Sequence, residues 1–449
     1  MHYYEKIQAA RDKADKLVDQ QHPDAAHLKR AEATLKHALD TLAQPAVMEL
    51  AEGNASLLGR RYDTLRDLAG VYALEGRKDD AMDALEAMQS EAWIPAVAPL
   101  LRKSSEFASL RDEPRFKSML TTLDNAGRLW NADTLAVPYA PRLSEAERIA
   151  GLSLFWSEVK YNFVHFDHVP DLDWDRTYLD FLPQVIAARD TSAYYEVLMR
   201  LAALLHDGHT NIYPPEELEG HFYARPPMRT ALVQGHVLVT QIFSPKLEEQ
   251  GIHVGDEVLA IDGMEVHRYA KERIAPYDSS STPQDADVRA YTYALLSGDK
   301  DQPFKLRLRD ASGAIHDVEI ARSNYRDIHS PPAFVFRILP GDIAYLALDH
   351  FESDEGVKAF ERHLPQILKA KGLILDVRKN GGGSTSYGLQ ILSYLSDKPI
   401  PVERSRELQV EPITRAQGAL ILDWHKPSNS GEPYINAHTQ HFAGPVAVL

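Results

Sequence analysis

Apolar residues recur at helical spacing through the N-terminal part of the chain and at alternate positions through its middle. The run RYDTLRDLAGVYALEGRKDDAMDALEAM predicts two amphipathic helices split by Gly76. Residues 1 to about 130 read as helices throughout. Residues 125–145, with Pro138 and Pro141, read as a linker. Helical patterning returns from Ser144 to Leu205 in AERIAGLSLFWSEVKYNF, DRTYLDFLPQVIAAR and SAYYEVLMRLAALL, the last with Ser192 as its expected cap. After Pro226 and Pro227 the period falls to two. RTALVQGHVLVTQI predicts paired strands around a Gln234-Gly235 turn, and GIHVGDEVLAIDGMEV a strand, an Asp262-Gly263 turn and a strand. PFKLRLRDASGAIHDVEIAR is a further hairpin, with a helical insertion expected around AYTYALL. Pro331-Pro332 opens the last segment. It reads as strand DIAYLALDHF, helix GVKAFERHLPQILKAK, strand GLILDVR, loop NGGGSTS, helix YGLQILSYL and buried strand GPVAVL, which is crossover α/β logic.

The spacing Leu65, Leu68, Ala69, Tyr72, Gly76, Ala81, Leu85 resembles one tetratricopeptide repeat, a helix–turn–helix unit of about 34 residues. Ala69 and Ala81 are small enough for the paired helices to approach closely. One unit cannot bury its own face, so the flanking helices must cap it. Such a module serves either packing or peptide binding.

Composition narrows the function. The chain has 449 residues, 49 Lys plus Arg against 65 Asp plus Glu, and a net charge of −16. That balance argues against a nucleic-acid partner, which needs a cationic surface. Hydrophobic residues at 44% and charged residues at 25% are those of a globular protein rather than a disordered one. With no cysteine there is no disulfide, thiolate metal site or cysteine nucleophile. No stretch reaches the roughly 18 apolar residues of a membrane span. The N-terminus has no apolar core of a secretion signal.

Two segments carry candidate chemistry. In LLHDGHTNIYPP, His209 follows a helix end and a glycine, and a neutral imidazole can take a proton from a hydroxyl nucleophile. His206 with His209, and His165 with His168, leave open a metal alternative assisted by Asp167 and Asp207. Neither pair forms an HExxH helix motif. In GLILDVRKNGGGSTS an apolar strand ends at Val377, and Gly381, Gly382 and Gly383 lead into a helix. Backbone N–H groups can converge there on a phosphate or an acyl-transfer oxyanion. The nucleotide patterns GxxxxGK[ST] and GxGxxG are absent. Ser384 and Ser386 lack a GxSxG nucleophile elbow.

With these residues in view, the chain resembles the serine peptidases of the tail-specific, C-terminal-processing and tricorn-like group. LHDGHT is similar to their histidine segment. LILDVRKNGGGSTS is similar to their oxyanion segment, and GIHVGDEVLAIDGMEV to the end of the PDZ domain between those two. GLSLFWSEVKYNFVHFD resembles the helical stretch before the histidine. The four segments stand in family order from about residue 145 onward.

The resemblance implies a multidomain α+β fold. Its parts are an N-terminal helical, tetratricopeptide-like domain over 1–130, a helical bundle segment with the histidine motif over 145–218, a β-rich PDZ-like domain over 226–324 and an α/β protease core over 330–449. It implies His209 as general base, Gly382 and Gly383 as oxyanion donors, and Arg378, Asn380 and Gly381 as supports of the loop. Asp207 and Thr210 would orient the histidine segment. Gly208 stands where the tricorn-like tetrad has a serine. A PDZ-like edge around Ala231, Leu232 and Val233 would bind peptides. The resemblance implies polypeptide substrates as partners, taken through their C-termini, and allows a homo-oligomer. No cofactor or metal is implied, and the family points outside the cytoplasm. The nucleophilic serine belongs at the turn after a strand like GPVAVL, past Leu449, so the α/β core reads as truncated and the 449 residues alone as inactive. Two alternatives remain: a non-catalytic peptide-binding scaffold, and a metal-dependent hydrolase built on the histidine pairs.

Overall fold

A computed structural model describes residues 2–18, 23–52, 55–92, 94–131, 135–324, 334–401, 406–408, 410–418, 425–427 and 434–449. The expected Pro331-Pro332 boundary lies outside these residues. The chain forms two compact units, Met1–Val137 and Pro138–Leu449. No described helix is long and apolar enough to cross a membrane.

The first unit is helical among its described residues: α1 (His2–Val18), α2 (Ala25–Leu42), α3 (Pro45–Glu52), α4 (Ala55–Leu74), α5 (Lys78–Glu91), α6 (Ala98–Lys103) and α7 (Pro114–Asn131). Gly76 turns the chain between α4 and α5 at φ +77, a conformation that a side chain disfavours. Leu65, Leu68, Ala69, Tyr72, Ala81 and Leu85 are all buried in one apolar cluster, as their spacing requires. That cluster extends to Leu28, Leu35, Phe107 and Phe116, which cap the pair from either side. The expected linker is shorter than its composition suggested. Residues 125–131 continue α7, whose apolar Ala126 is buried.

The second unit opens with α8 (Glu145–Asn162), α9 (Trp174–Ala187) and α10 (Thr191–Ala203). Ser144 and Glu147 form a reciprocal capping box on α8. Buried Arg148 donates to the carbonyls of Leu143, Val185 and Ile186, and so closes the C-terminal end of α9. The cap of α10 is Asp190 rather than Ser192. The extended backbone of Asp190 lets its carboxylate accept from Ala193 N–H, whereas Ser192 already lies inside the first turn.

A short α11 (Glu219–Phe222) leads to an antiparallel sheet. Its strands are β1 (Met228–Val233), β2 (His236–Ile242), β3 (Glu257–Ile261), β4 (Met264–Glu265), β5 (Phe304–Arg309) and β6 (Ile315–Ile320), with α12 (Pro245–Glu249) between β2 and β3. The order is β1-β2-β3-β5-β6, with β4 paired to β3, so β1 is an edge. Gln234-Gly235 and Asp262-Gly263 turn with positive φ at both residues, the geometry of tight hairpin turns. The helical insertion is longer than AYTYALL alone. It includes α13 (Val266–Tyr269), α14 (Pro283–Val288) and widened turns at Ala270–Ile274 and Arg289–Ala294.

The last segment contains β7 (Phe334–Leu339), β8 (Ile343–Leu348), α15 (Glu355–Ile367), β9 (Gly372–Asp376) and α16 (Thr385–Ser393). Short pieces follow: β10 (Ile400–Pro401), β11 (Arg406–Leu408), α17 (Pro412–Ala416), β12 (His425–Pro427) and β13 (Tyr434–Ile435). The chain's last strand is β14 (Val446–Val448). The sheet order is β14-β9-β8-β7, parallel from β14 to β8, with β7 antiparallel. Patterning missed β7 and the small pairs β10–β13 and β11–β12. β7 buries no side chain fully, its positions being half-buried or exposed, and the small pairs are two or three residues long. GPVAVL is not buried as expected: Val446 and Val448 are 37% and 63% exposed on the edge strand.

Candidate active site

The glycine loop leaves the carboxyl ends of β8 and β9, the usual place for a site in a parallel sheet. Asn380 ties it down. Its side-chain amide donates to the Leu348 carbonyl at 2.8 Å, and its Oδ1 accepts from Gly382 N–H at 2.9 Å. Gly381 N–H donates to the Asp349 carbonyl at 3.1 Å. Phe351 brackets the next residue: its N–H donates to Gly382 at 2.6 Å, and its carbonyl accepts from Ser384 N–H at 2.8 Å. Gly382 and Gly383 sit at φ +102 and +128. A Cβ on Gly383 would collide with the Phe351 backbone, so only glycine fits. Gly383 N–H is left without an acceptor among the described residues, and it is exposed.

Below the loop, buried Asp376 ends β9. Arg378 Nη2 donates to it at 2.7 Å and Nε at 3.0 Å, and Tyr345 O–H donates at 2.7 Å. The Arg378 guanidinium, seconded by Tyr345, holds the Asp376 carboxyl well below the usual range. The same contact pushes the Tyr345 phenol up. Asp349, at the end of β8, is pushed up by burial.

The histidine segment is fastened separately. Thr210 O–H donates to the Asp207 carboxylate, which also accepts from His209 N–H at 3.4 Å. Two further fasteners come from residues that no sequence motif marks. The Oγ of Ser279, 2% exposed, lies 2.8 Å from the Asp207 carbonyl and 3.2 Å from the Thr210 carbonyl, which share its one proton. Arg289 Nη2 donates to the Gly208 carbonyl at 3.1 Å, and Arg289 Nε to Asp285 at 2.8 Å. A Cβ on Gly208 would lie 2.8 Å from Arg289 Nη2, so the arginine occupies the space that a serine there would need. Ser279 and Arg289 come from the helical insertion, 72 and 81 residues from their partners in sequence, and no local pattern announces them. The His209 ring is exposed and makes no hydrogen bond among the described residues. No hydrogen bond, ion pair or ring contact joins it to the glycine loop among those residues.

Ala231, Leu232 and Val233 lie on edge strand β1. Leu232 packs toward the domain core and Val233 is exposed. Of the metal candidates, His165, Asp167 and His168 gather with ligand atoms within 4.8 Å of one another. Arg406 already sits among them. It donates to both Asp167 oxygens at 2.6 and 3.1 Å, and its Nη2 lies 3.0 Å from His165 Nδ1. His206 and His209 form no such group among the described residues.

Residues 342–449 match peptidase family S41. The chain is similar to mature CPAF, both in its complex with lactacystin and alone, at 14% identity and a TM-score of 0.50 in each case. These matches cover 68% of this chain and 79% and 78% of those chains. A photosystem II D1 C-terminal processing protease matches at 18% identity and a TM-score of 0.34, over 67% of this chain and 73% of that one. No curated protein sequence matches the chain. The resemblance to tail-specific serine peptidases read from the glycine segment is borne out, with the sequence match confined to 342–449.

Proposed function

We propose that this chain supplies the general base and oxyanion cradle of a serine endopeptidase acting on polypeptides. One observation carries the reading: Gly383 is exposed and its N–H is unengaged among the described residues, on a loop that Phe351 and Asn380 tie down, within the segment that matches peptidase family S41. Gly382 N–H is committed to Asn380, so Gly383 is the oxyanion donor. Arg378 and Gly381 hold the loop's base. The family resemblance assigns His209 to take the serine proton and return it to the leaving amine. Asp207 and Thr210 fix its backbone. Edge strand β1, through Ala231 to Val233, is the strand to which a substrate strand would add, beside the Arg289–Ala294 turn that packs against it.

The experiment compares hydrolysis of an unfolded protein by the protein as its native source produces it and by the same protein with His209→Ala. Turnover of the variant is expected to fall by about a thousandfold or more with folding intact. An unchanged His209→Ala rate overturns the reading.

A further inference from the structure

A cavity of about 690 Å³ lies beside the histidine segment, between α10, residues 211–223 and the helical insertion. Neither His209 nor the glycine loop lines it. Its volume suits a bound side chain with adjoining backbone. Tyr213, Tyr223, Tyr269, Tyr277 and Tyr293 contribute to its wall. Arg200 lies over the Tyr277 ring at 5.9 Å and Arg229 over the Tyr293 ring at 5.5 Å, whereas the other three carry no cation among the described residues. Burial pushes the Tyr223 phenol up to about 12, so that wall is neutral.

The charged groups of the wall are unevenly served. Arg289 is neutralised by Asp285, and His221 pairs with Asp299 at 3.1 Å. Exposed Arg273 adds one positive charge. Against it stand Glu196, which has no ion pair among the described residues, and Asp278. Asp278 accepts from Ser280 on Oδ2, but its Oδ1 is buried without a partner among the described residues. A buried carboxylate oxygen without a donor is costly, and a cation brought beside it removes that cost. Burial raises the Asp278 pKa, and a neighbouring cation would lower it again.

We propose that this cavity is a subsite for a cationic side chain of a polypeptide, arginine above all. Tyrosine faces suit a planar guanidinium, and Asp278 and Glu196 supply the carboxylates it binds. Ser279 and Arg289 line the same cavity and hold the carbonyls of Asp207, Gly208 and Thr210. The occupant therefore shares a wall with the His209 loop. That link makes the cavity a substrate subsite, a role that rests on the proposed peptidase function.

The test needs no hydrolysis. Calorimetric titration of the 449-residue chain uses acetyl-Ala-Arg-Ala-amide and its neutral isostere acetyl-Ala-citrulline-Ala-amide. The arginine peptide is expected to bind at least about tenfold tighter, a difference of about 1.4 kcal/mol. Asp278→Asn keeps the shape and is expected to abolish that preference. Glu196→Gln, a second variant on a solvent-reached helix, is expected to reduce it. Equal binding of the two peptides, no binding of either, or an undiminished preference in both folded variants overturns the subsite. Binding that survives alongside an active His209→Ala enzyme would sink the catalytic reading and leave the subsite standing.

Discussion

Gly383 lies against the backbone of Phe351 so closely that no side chain can be added to it. The neighbour is main chain bonded on both sides, through Gly382 and Ser384, and it cannot swing away. The residue also sits at φ +128, which an L side chain disfavours. Gly383→Ala is therefore expected to destabilise the second unit by about 2–4 kcal/mol. Gly382→Ala meets open space and is expected to cost only its positive-φ strain, about 1–2 kcal/mol. Chemical denaturation of both variants checks this. Equal losses would mean that Phe351 does not hold the loop.

Asp376 links that loop to the sheet, and its ionisation gives a pH signature. Its folded pKa is depressed, so its contribution is complete above the ordinary aspartate value of 3.8 and is lost as pH falls below it. Arg378, the chief cause, is largely exposed and screened, so its share is discounted, and the part-buried hydrogen bond from Tyr345 adds to it. Asp376→Asn is expected to cost about 1–3 kcal/mol at neutral pH. The gap to the unsubstituted chain should narrow on acidification. A gap that stays constant to pH about 3 would show that the ionised carboxylate is not what matters.

Ser279 reaches across some 70 residues to the segment around His209. Ser279→Ala removes the hydroxyl from the half-buried carbonyls of Asp207, which keeps its bond from Thr210 N–H, and of Thr210. It is expected to cost about 1–2 kcal/mol. Amide hydrogen exchange at residues 207–211 should accelerate while that of β8 and β9 stays unchanged. Ser279→Thr keeps the hydroxyl and should restore much of the protection. Uniform acceleration in both places would reduce Ser279 to a general stability element.

These variants mark how far the sequence could be read. The glycine run, its asparagine and the apolar strand before it are contiguous, so their geometry was legible in one line of residues. Gly76, Gln234-Gly235 and Asp262-Gly263 were legible for the same reason, because a turn is a local demand on φ. Ser279, Arg289 and Phe351 were not. Each acts through a contact distant in the chain, and a serine or arginine in a helical insertion looks like any solvated polar residue. The cap of α10 was misread by two positions because Asp190 and Ser192 are both capping residue types, and only backbone geometry chooses between them. The edge strand β14 was read as buried because hydrophobic composition cannot tell a central strand from an edge one.

Arg406 decides the metal question. Its guanidinium lies among His165, Asp167 and His168, and its hydrogen bonds hold the Asp167 carboxyl below its usual range. A divalent cation entering there would have to displace an arginine whose charge repels it. The unsubstituted chain is therefore expected to show the same thermal midpoint with zinc and with EDTA. Arg406→Ala loses a partly exposed ion pair, at a cost below about 1 kcal/mol, and it vacates the place among the three ligands. That variant should gain stability with added zinc, since a bound metal stabilises the folded state by mass action. Zinc raising the midpoint of the unsubstituted chain, or EDTA lowering it, would show that the arginine does not exclude metal and would reopen the metal-dependent reading of these histidines.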